Sequence, residues 1–78
     1  MKKSRHSKRY LRLLFALRAL RKEAGLTQTE AAAKFGAHAS FVSKCESGER
    51  RIDVVELLDF CRLYGATIGE LLKRADIE

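Results

Sequence analysis

The sequence predicts an all-α fold, a compact bundle of five short helices. Three observations carry this expectation. The chain has 78 residues with no proline and only five glycines, so little interrupts a helical pattern. Apolar residues recur at helical spacing through most of its length. Tetrads that begin with Thr or Asp and end with Glu precede apolar runs at three places, the pattern of a capping box. A chain this short forms one domain with a modest core, which helical packing or dimerisation must support.

The elements follow in order. The first helix is expected from Ser7 or Lys8 to Glu23. Leu13, Leu17, Leu20 and Ala24 share its core face, widened by Leu11, Leu14 and Phe15. Gly25 closes it as a left-handed cap. In the tetrad Thr27 to Glu30, the threonine hydroxyl takes the glutamate amide and the carboxylate reaches back. The second helix then runs to Phe35, and Gly36 breaks it with a positive φ that glycine adopts cheaply. The third helix is expected from about Ala39 to Ser47, stopped by Gly48. Glu49 to Ile52 form a charged connector. Asp53 to Glu56 open a fourth helix through Leu63 or Tyr64, its stripe made of Val54, Leu57, Leu58, Cys61 and Tyr64. After Gly65, Thr67 to Glu70 start a fifth helix with Ile68, Leu71, Leu72 and Ala75 inward. As domains, residues 1–9 read as a flexible basic arm, 10–75 as the helical unit and 76–78 as a frayed end.

The net charge of +6 is unevenly spread. Residues 1–22 hold nine Lys/Arg and no acid, whereas residues 23–78 carry a net charge of −3. A solubilising tail would have this signature, and so would an arm that meets a polyanion. The longest apolar run, Leu13 to Leu17, is too short to span a membrane. Arg12 and Arg18 interrupt any signal-peptide pattern, so the cytoplasm is the expected compartment and no membrane partner is expected. Cys45 and Cys61 lie sixteen positions apart without a CxxC neighbour. They fit buried free thiols better than a zinc site or a disulfide. No metal cluster, phosphate-binding glycine loop or nucleophile with a nearby base is present, and His6 and His38 lack a carboxylate at useful spacing. No catalytic residue, cofactor, metal or small-molecule ligand is therefore expected.

The most informative stretch is residues 28–47, which read as two short helices hinged at Gly36. Counting Gln28 as first, the small residues Ala31 and Ala32 fall fourth and fifth, where two helices must approach closely. Phe35, Ala37, Val42 and Cys45 fall eighth, tenth, fifteenth and eighteenth and make an apolar inner seam. Three turn residues are expected to set the helices at a steep angle, so that the third projects as a rod that fits a DNA major groove.

With its flanks, this unit resembles the lambda-repressor/Cro type of helix-turn-helix protein, often called XRE. The likeness runs from about Leu13 to Leu72 and is most specific at Leu17 to Arg21, Gly25 to Glu30, Phe41 to Lys44 and Glu46 to Arg51. It implies a sequence-specific regulator of transcription, a repressor acting as a homodimer on near-palindromic double-stranded DNA. A second reading is an antitoxin-like protein that binds a toxin partner and its own promoter.

The resemblance also implies roles. Lys44, Ser40, Ala39 and Ser43 match base-reading positions, with Lys44 the candidate for a guanine. Gln28 matches a phosphate-contacting glutamine that steadies the third helix, and Thr29, beside it at the helix start, is expected on a phosphate as well. Arg50 and Arg51 fall in the loop that runs along the DNA backbone. Arg21 and Glu46 match a structural ion pair. Ile68, Leu71 and Leu72 match a dimer surface, with Leu11, Leu14 and Phe15 as a second candidate. Lys2, Lys3, Arg5, Lys8 and Arg9 would lie along phosphates or in a minor groove.

Three departures stand out. Ala39 replaces a glutamine that commonly reads adenine, leaving only a thymine methyl contact there. Ala31 and Cys45 replace larger apolar residues, so Phe35 and Phe41 are expected to fill the space. His38 replaces the serine or threonine that caps the third helix, and is either a phosphate contact or an exposed loop residue.

Overall fold

A computed structural model describes residues 7–77 as five helices. They are α1 (Lys8–Glu23), α2 (Gln28–Phe35), α3 (Phe41–Ser47), α4 (Val54–Tyr64) and α5 (Ile68–Ala75). Each boundary has a local cause. The Ser7 hydroxyl caps α1 by accepting from the Tyr10 amide. Thr27, Asp53 and Thr67 form reciprocal capping boxes with Glu30, Glu56 and Glu70. Gly36 and Gly48 stop α2 and α3 in the left-handed region, at φ 75° and 84°.

α1 packs against α3, α4 and α5, while α2 packs against α3 and α4. The core is closed by Leu17, Ala31, Ala32, Val42, Cys45, Phe60 and Leu71, all nearly or fully inaccessible. Ala31 and Ala32 carry only a methyl each, so α2 can lie close to its neighbours. The space left by these small residues is filled by aromatics. Phe35 lies 5.1 Å from Phe41 and 4.4 Å from Phe60 between ring centroids, and Phe60 lies 5.9 Å from Tyr64. Both cysteines are buried free thiols.

Several expectations need correction. α4 keeps Leu57, Cys61 and Tyr64 of its expected stripe inward but turns the other edge to solvent. Phe60, the largest fully buried side chain, faces inward with Leu57, Cys61 and Tyr64, leaving Val54 71% and Leu58 47% exposed. On α1, Leu14 joins the core, but Leu11 and Phe15 point to solvent and Ala24 is exposed. Leu14 thus cannot form a surface with them. α3 begins at Phe41, not Ala39, because the His38 carbonyl accepts from the Phe41 amide and turns the chain there. The connector between α2 and α3 is therefore residues 36–40 rather than three residues. Leu71 is 0% exposed within the single chain, which removes it from any dimer surface; Ile68 and Leu72 are half-buried. Ile77, expected to fray, is tied down. The Ile77 amide donates to Leu72, its carbonyl accepts from Arg9, and its side chain packs on the core.

Candidate nucleic-acid interface

The site is built around α3, which has only seven residues. So short a helix is not stable on its own, and its order must come from tertiary contacts. Val42 and Cys45 anchor one face in the core. On the opposite face Lys44 is exposed. Ser43 is half-buried and its hydroxyl donates back to the Ser40 carbonyl at 2.9 Å.

The carboxyl end of α3 is held by a polar cluster. Arg21 Nε lies 2.7 Å from Glu46 Oε2, and Arg21 Nη2 donates to Glu46 Oε1 at 3.2 Å. Arg21 Nη1 donates to the Leu26 carbonyl at 2.7 Å. Gln28 Nε2 donates to Glu46 Oε1 at 2.9 Å. The Glu46 carboxylate therefore joins α1, the start of α2 and the end of α3, and Arg21 extends the cluster to the loop before α2. The Arg21 and Glu46 side chains are 7% and 5% exposed, so each charge depends on the other for compensation. The Tyr64 hydroxyl is buried without a hydrogen-bond partner, and desolvation, with the nearby Glu46 charge adding to it, holds its pKa well above the ordinary phenol range.

The connector before α3 has its own order. The Ser40 amide donates to His38 Nδ1 at 3.1 Å, and the Ser40 hydroxyl lies 2.9 Å from the same nitrogen. His38 thereby takes up a turn amide through its ring, in the acceptor role a hydroxyl commonly fills near a helix start. Accepting at Nδ1 requires the tautomer protonated at Nε2. Ala39 is exposed beside it, and Thr29 is exposed in the first turn of α2.

The loop after α3 is braced from two sides. Arg50 donates to both oxygens of Glu56, at 2.9 and 2.8 Å, and its guanidinium sits 4.9 Å from the Phe41 ring centroid. These hydrogen bonds hold the Glu56 carboxyl below its ordinary pKa. Arg50, expected on a phosphate, is thus engaged within the chain. The Arg51 guanidinium lies 4.4 Å from the Tyr10 ring centroid and remains exposed, while the Tyr10 hydroxyl accepts from the Ile52 amide. No local pattern points to the bracing by Tyr10, because Tyr10 and Ile52 are 42 positions apart. Lys8 and Arg9 belong to α1, not to a separate arm, and Arg9 Nη2 donates to the Ile77 carbonyl at 2.9 Å. Lys2, Lys3 and Arg5 lie outside the described residues.

Burial raises the pKa of both thiols above the ordinary value, away from the thiolate that reactivity needs. Among the described residues, no group of three His, Cys, Asp or Glu side chains could hold a metal, and no helix is long and apolar enough to cross a membrane.

A short helix clamped at one end, bare on its outer face and preceded by a close-packed partner is the arrangement of a helix-turn-helix protein. Residues 12–75 match the sequence profile of a helix-turn-helix domain family. No curated protein is significantly similar. An XRE-family like protein from Pseudomonas syringae pv. tomato str. DC3000 has a solved structure with 48% sequence identity and a TM-score of 0.79, covering 87% of this chain and 83% of that one. The chain belongs to the XRE-type helix-turn-helix family, and with it to the DNA-binding proteins.

Proposed function

We propose that this protein is a cytoplasmic, sequence-specific regulator of transcription, acting as a repressor and binding a near-palindromic operator as a homodimer. The observation that carries the reading is Lys44, exposed on a helix whose carboxyl end is clamped by Arg21, Glu46 and Gln28. A lysine so placed can donate to guanine O6 and N7 in a major groove. Ser40, Ala39 and Ser43 complete the reading edge. Thr29, Arg51 and the basic residues up to Arg9 supply phosphate contacts, whose number sets the salt dependence. Occluding the promoter is the simplest mode of repression.

Two copies must present their α3 helices to successive grooves, about one helical turn apart. The face between α4 and α5 suits self-pairing. Val55, Leu58, Ala66 and Ile68 line it, with Asp59 and Arg62 on the same rim. Around a twofold axis, Asp59 of each copy can face Arg62 of the other. Ile68 and Leu72 keep the role expected of them, with Val55 and Leu58 taking the place of Leu71.

The test is selection of bound fragments from random duplex DNA at fixed salt, with sedimentation of the complex. Enrichment of an inverted repeat bound by two chains is expected. Equal recovery of every sequence, or a one-chain complex on the enriched site, would overturn the reading.

A further inference from the structure

The side of α1 carrying Leu11 and Phe15 has an unusual make-up. Phe15 is 77% exposed and Leu11 is 44% exposed, one helical turn apart. With Ala75 they line a shallow, mainly apolar groove between α1 and the end of α5. Its rim is basic. Arg12 and Arg18 lie three residues to either side of Phe15, both exposed; Arg74 borders the α5 side, where Glu23 already takes it at 2.6 Å. Asp76, at the α5 cap, is the single acidic residue at the groove. No Asp or Glu precedes Glu23 anywhere in the sequence. None of the candidate base-reading residues lies on α1 or α5.

We infer that this groove is a docking site for an acidic amphipathic helix of a partner protein. An aromatic anchor between arginines is the composition of an interface centre, not of a solvated helix face. An amphipathic helix fits such a groove by laying its apolar side on Leu11 and Phe15, which places flanking glutamates or aspartates against Arg12 and Arg18. A second copy of this chain does not fit. A twofold interface brings the same surface of each copy together, so Arg12 and Arg18 of both copies would meet, four cations with only the two Asp76 carboxylates at the groove to offset them. The α4–α5 face, with Asp59 and Arg62, carries no such penalty. Bare nucleic acid would meet the arginines but leave the apolar seam unused. The inference goes beyond the DNA-reading role and stands without it.

The probe is a fluorescein-labelled synthetic helix with leucines at positions i, i+3, i+4 and i+7 and glutamates on both flanks. Controls carry lysine for glutamate, or serine for leucine. Fluorescence anisotropy with the full chain should show binding of the first peptide alone. Phe15→Ser should weaken it about tenfold or more, and Leu11→Ser should weaken it as well. Arg12→Glu together with Arg18→Glu should reverse the preference toward the lysine peptide. Because both apolar side chains are exposed, thermal unfolding and duplex affinity should stay unchanged in Phe15→Ser. Affinity unaffected by Phe15→Ser, or equal binding of the serine control, would overturn the proposal. So would loss of a wild-type dimer in Phe15→Ser, which would make the occupant a second copy, or loss of duplex binding, which would make it DNA.

Discussion

Gln28 and Glu46 meet between the start of α2 and the end of α3, the side-chain amide donating to carboxylate Oε1 at 2.9 Å. The residue expected to touch a phosphate is therefore already oriented by the helix it was expected to steady. Gln28→Ala should lower stability by about 1.5 kcal/mol, the usual worth of a hydrogen bond to a charged group, and weaken binding to every duplex alike. Gln28→Glu should cost more, because a second carboxylate would face Glu46. Urea unfolding of both variants checks this; unchanged midpoints would show that the contact contributes nothing.

Arg21 and Glu46 should behave as a unit. Glu46→Ala leaves the guanidinium buried and uncompensated, at a cost of about 3–5 kcal/mol. Replacing both together, with Arg21→Met and Glu46→Leu, removes the charges along with their desolvation cost and should recover most of that loss. Denaturation of Arg21→Met, Glu46→Leu and the double variant gives the coupling directly. Additive losses would mean the pair is not linked.

Lys44 is exposed, so Lys44→Ala should change stability by less than about 0.5 kcal/mol. Its effect belongs to recognition. Repeating the random-duplex selection with the variant should relax one position in each half-site, where a mismatch ordinarily costs about 1–3 kcal/mol. An identical motif would assign base reading to other residues.

Phe60 lies against Phe35, Phe41 and Tyr64, so truncation would open a cavity where α2, the start of α3 and α4 converge. Phe60→Ala should cost about 3–5 kcal/mol, enough to unfold much of a domain this small. Val54→Ala, one of the expected core positions, should cost little because Val54 is 71% exposed. Thermal unfolding of the two variants separates the observed α4 register from the expected one.

Acid should destabilise the fold through three carboxylates. Arg50's hydrogen bonds hold the Glu56 pKa below its ordinary value, Arg74 does the same for Glu23, and the Thr27 backbone amide does so for Glu30. A depressed folded pKa contributes stability above the unfolded value, about 4.3 for glutamate, and that contribution is lost as pH falls through the folded values. Tm should thus be level near neutrality and decline below about pH 4.5. Glu56→Gln should make the decline shallower. A Tm that rises on acidification would contradict the sign.

The helix starts were legible because a capping box is local: Thr27, Asp53 and Thr67 each find their glutamate three residues on. Facing was harder. Val54, Leu57, Leu58 and Cys61 make as good a helical stripe as Leu57, Phe60, Cys61 and Tyr64, and only the volume of Phe60 against Phe35 and Phe41 decides between them. At the site, Arg21 and Glu46 lie 25 positions apart, and no periodicity joins them; family resemblance alone suggested the pair. The engagement of Arg50 by Glu56 was missed because an arginine in a loop next to a reading helix looks like a phosphate contact whether or not a carboxylate six residues later takes it.

The brevity of α3 has a practical consequence. Its seven residues have too few internal hydrogen bonds to offset the entropy of ordering them, so a synthetic fragment spanning 28–47 should be largely coil in water. Reagents derived from this protein, whether grafts or shortened editions, will need the whole frame, because much of what holds the recognition element lies on α1 and α4, outside the segment that would be copied.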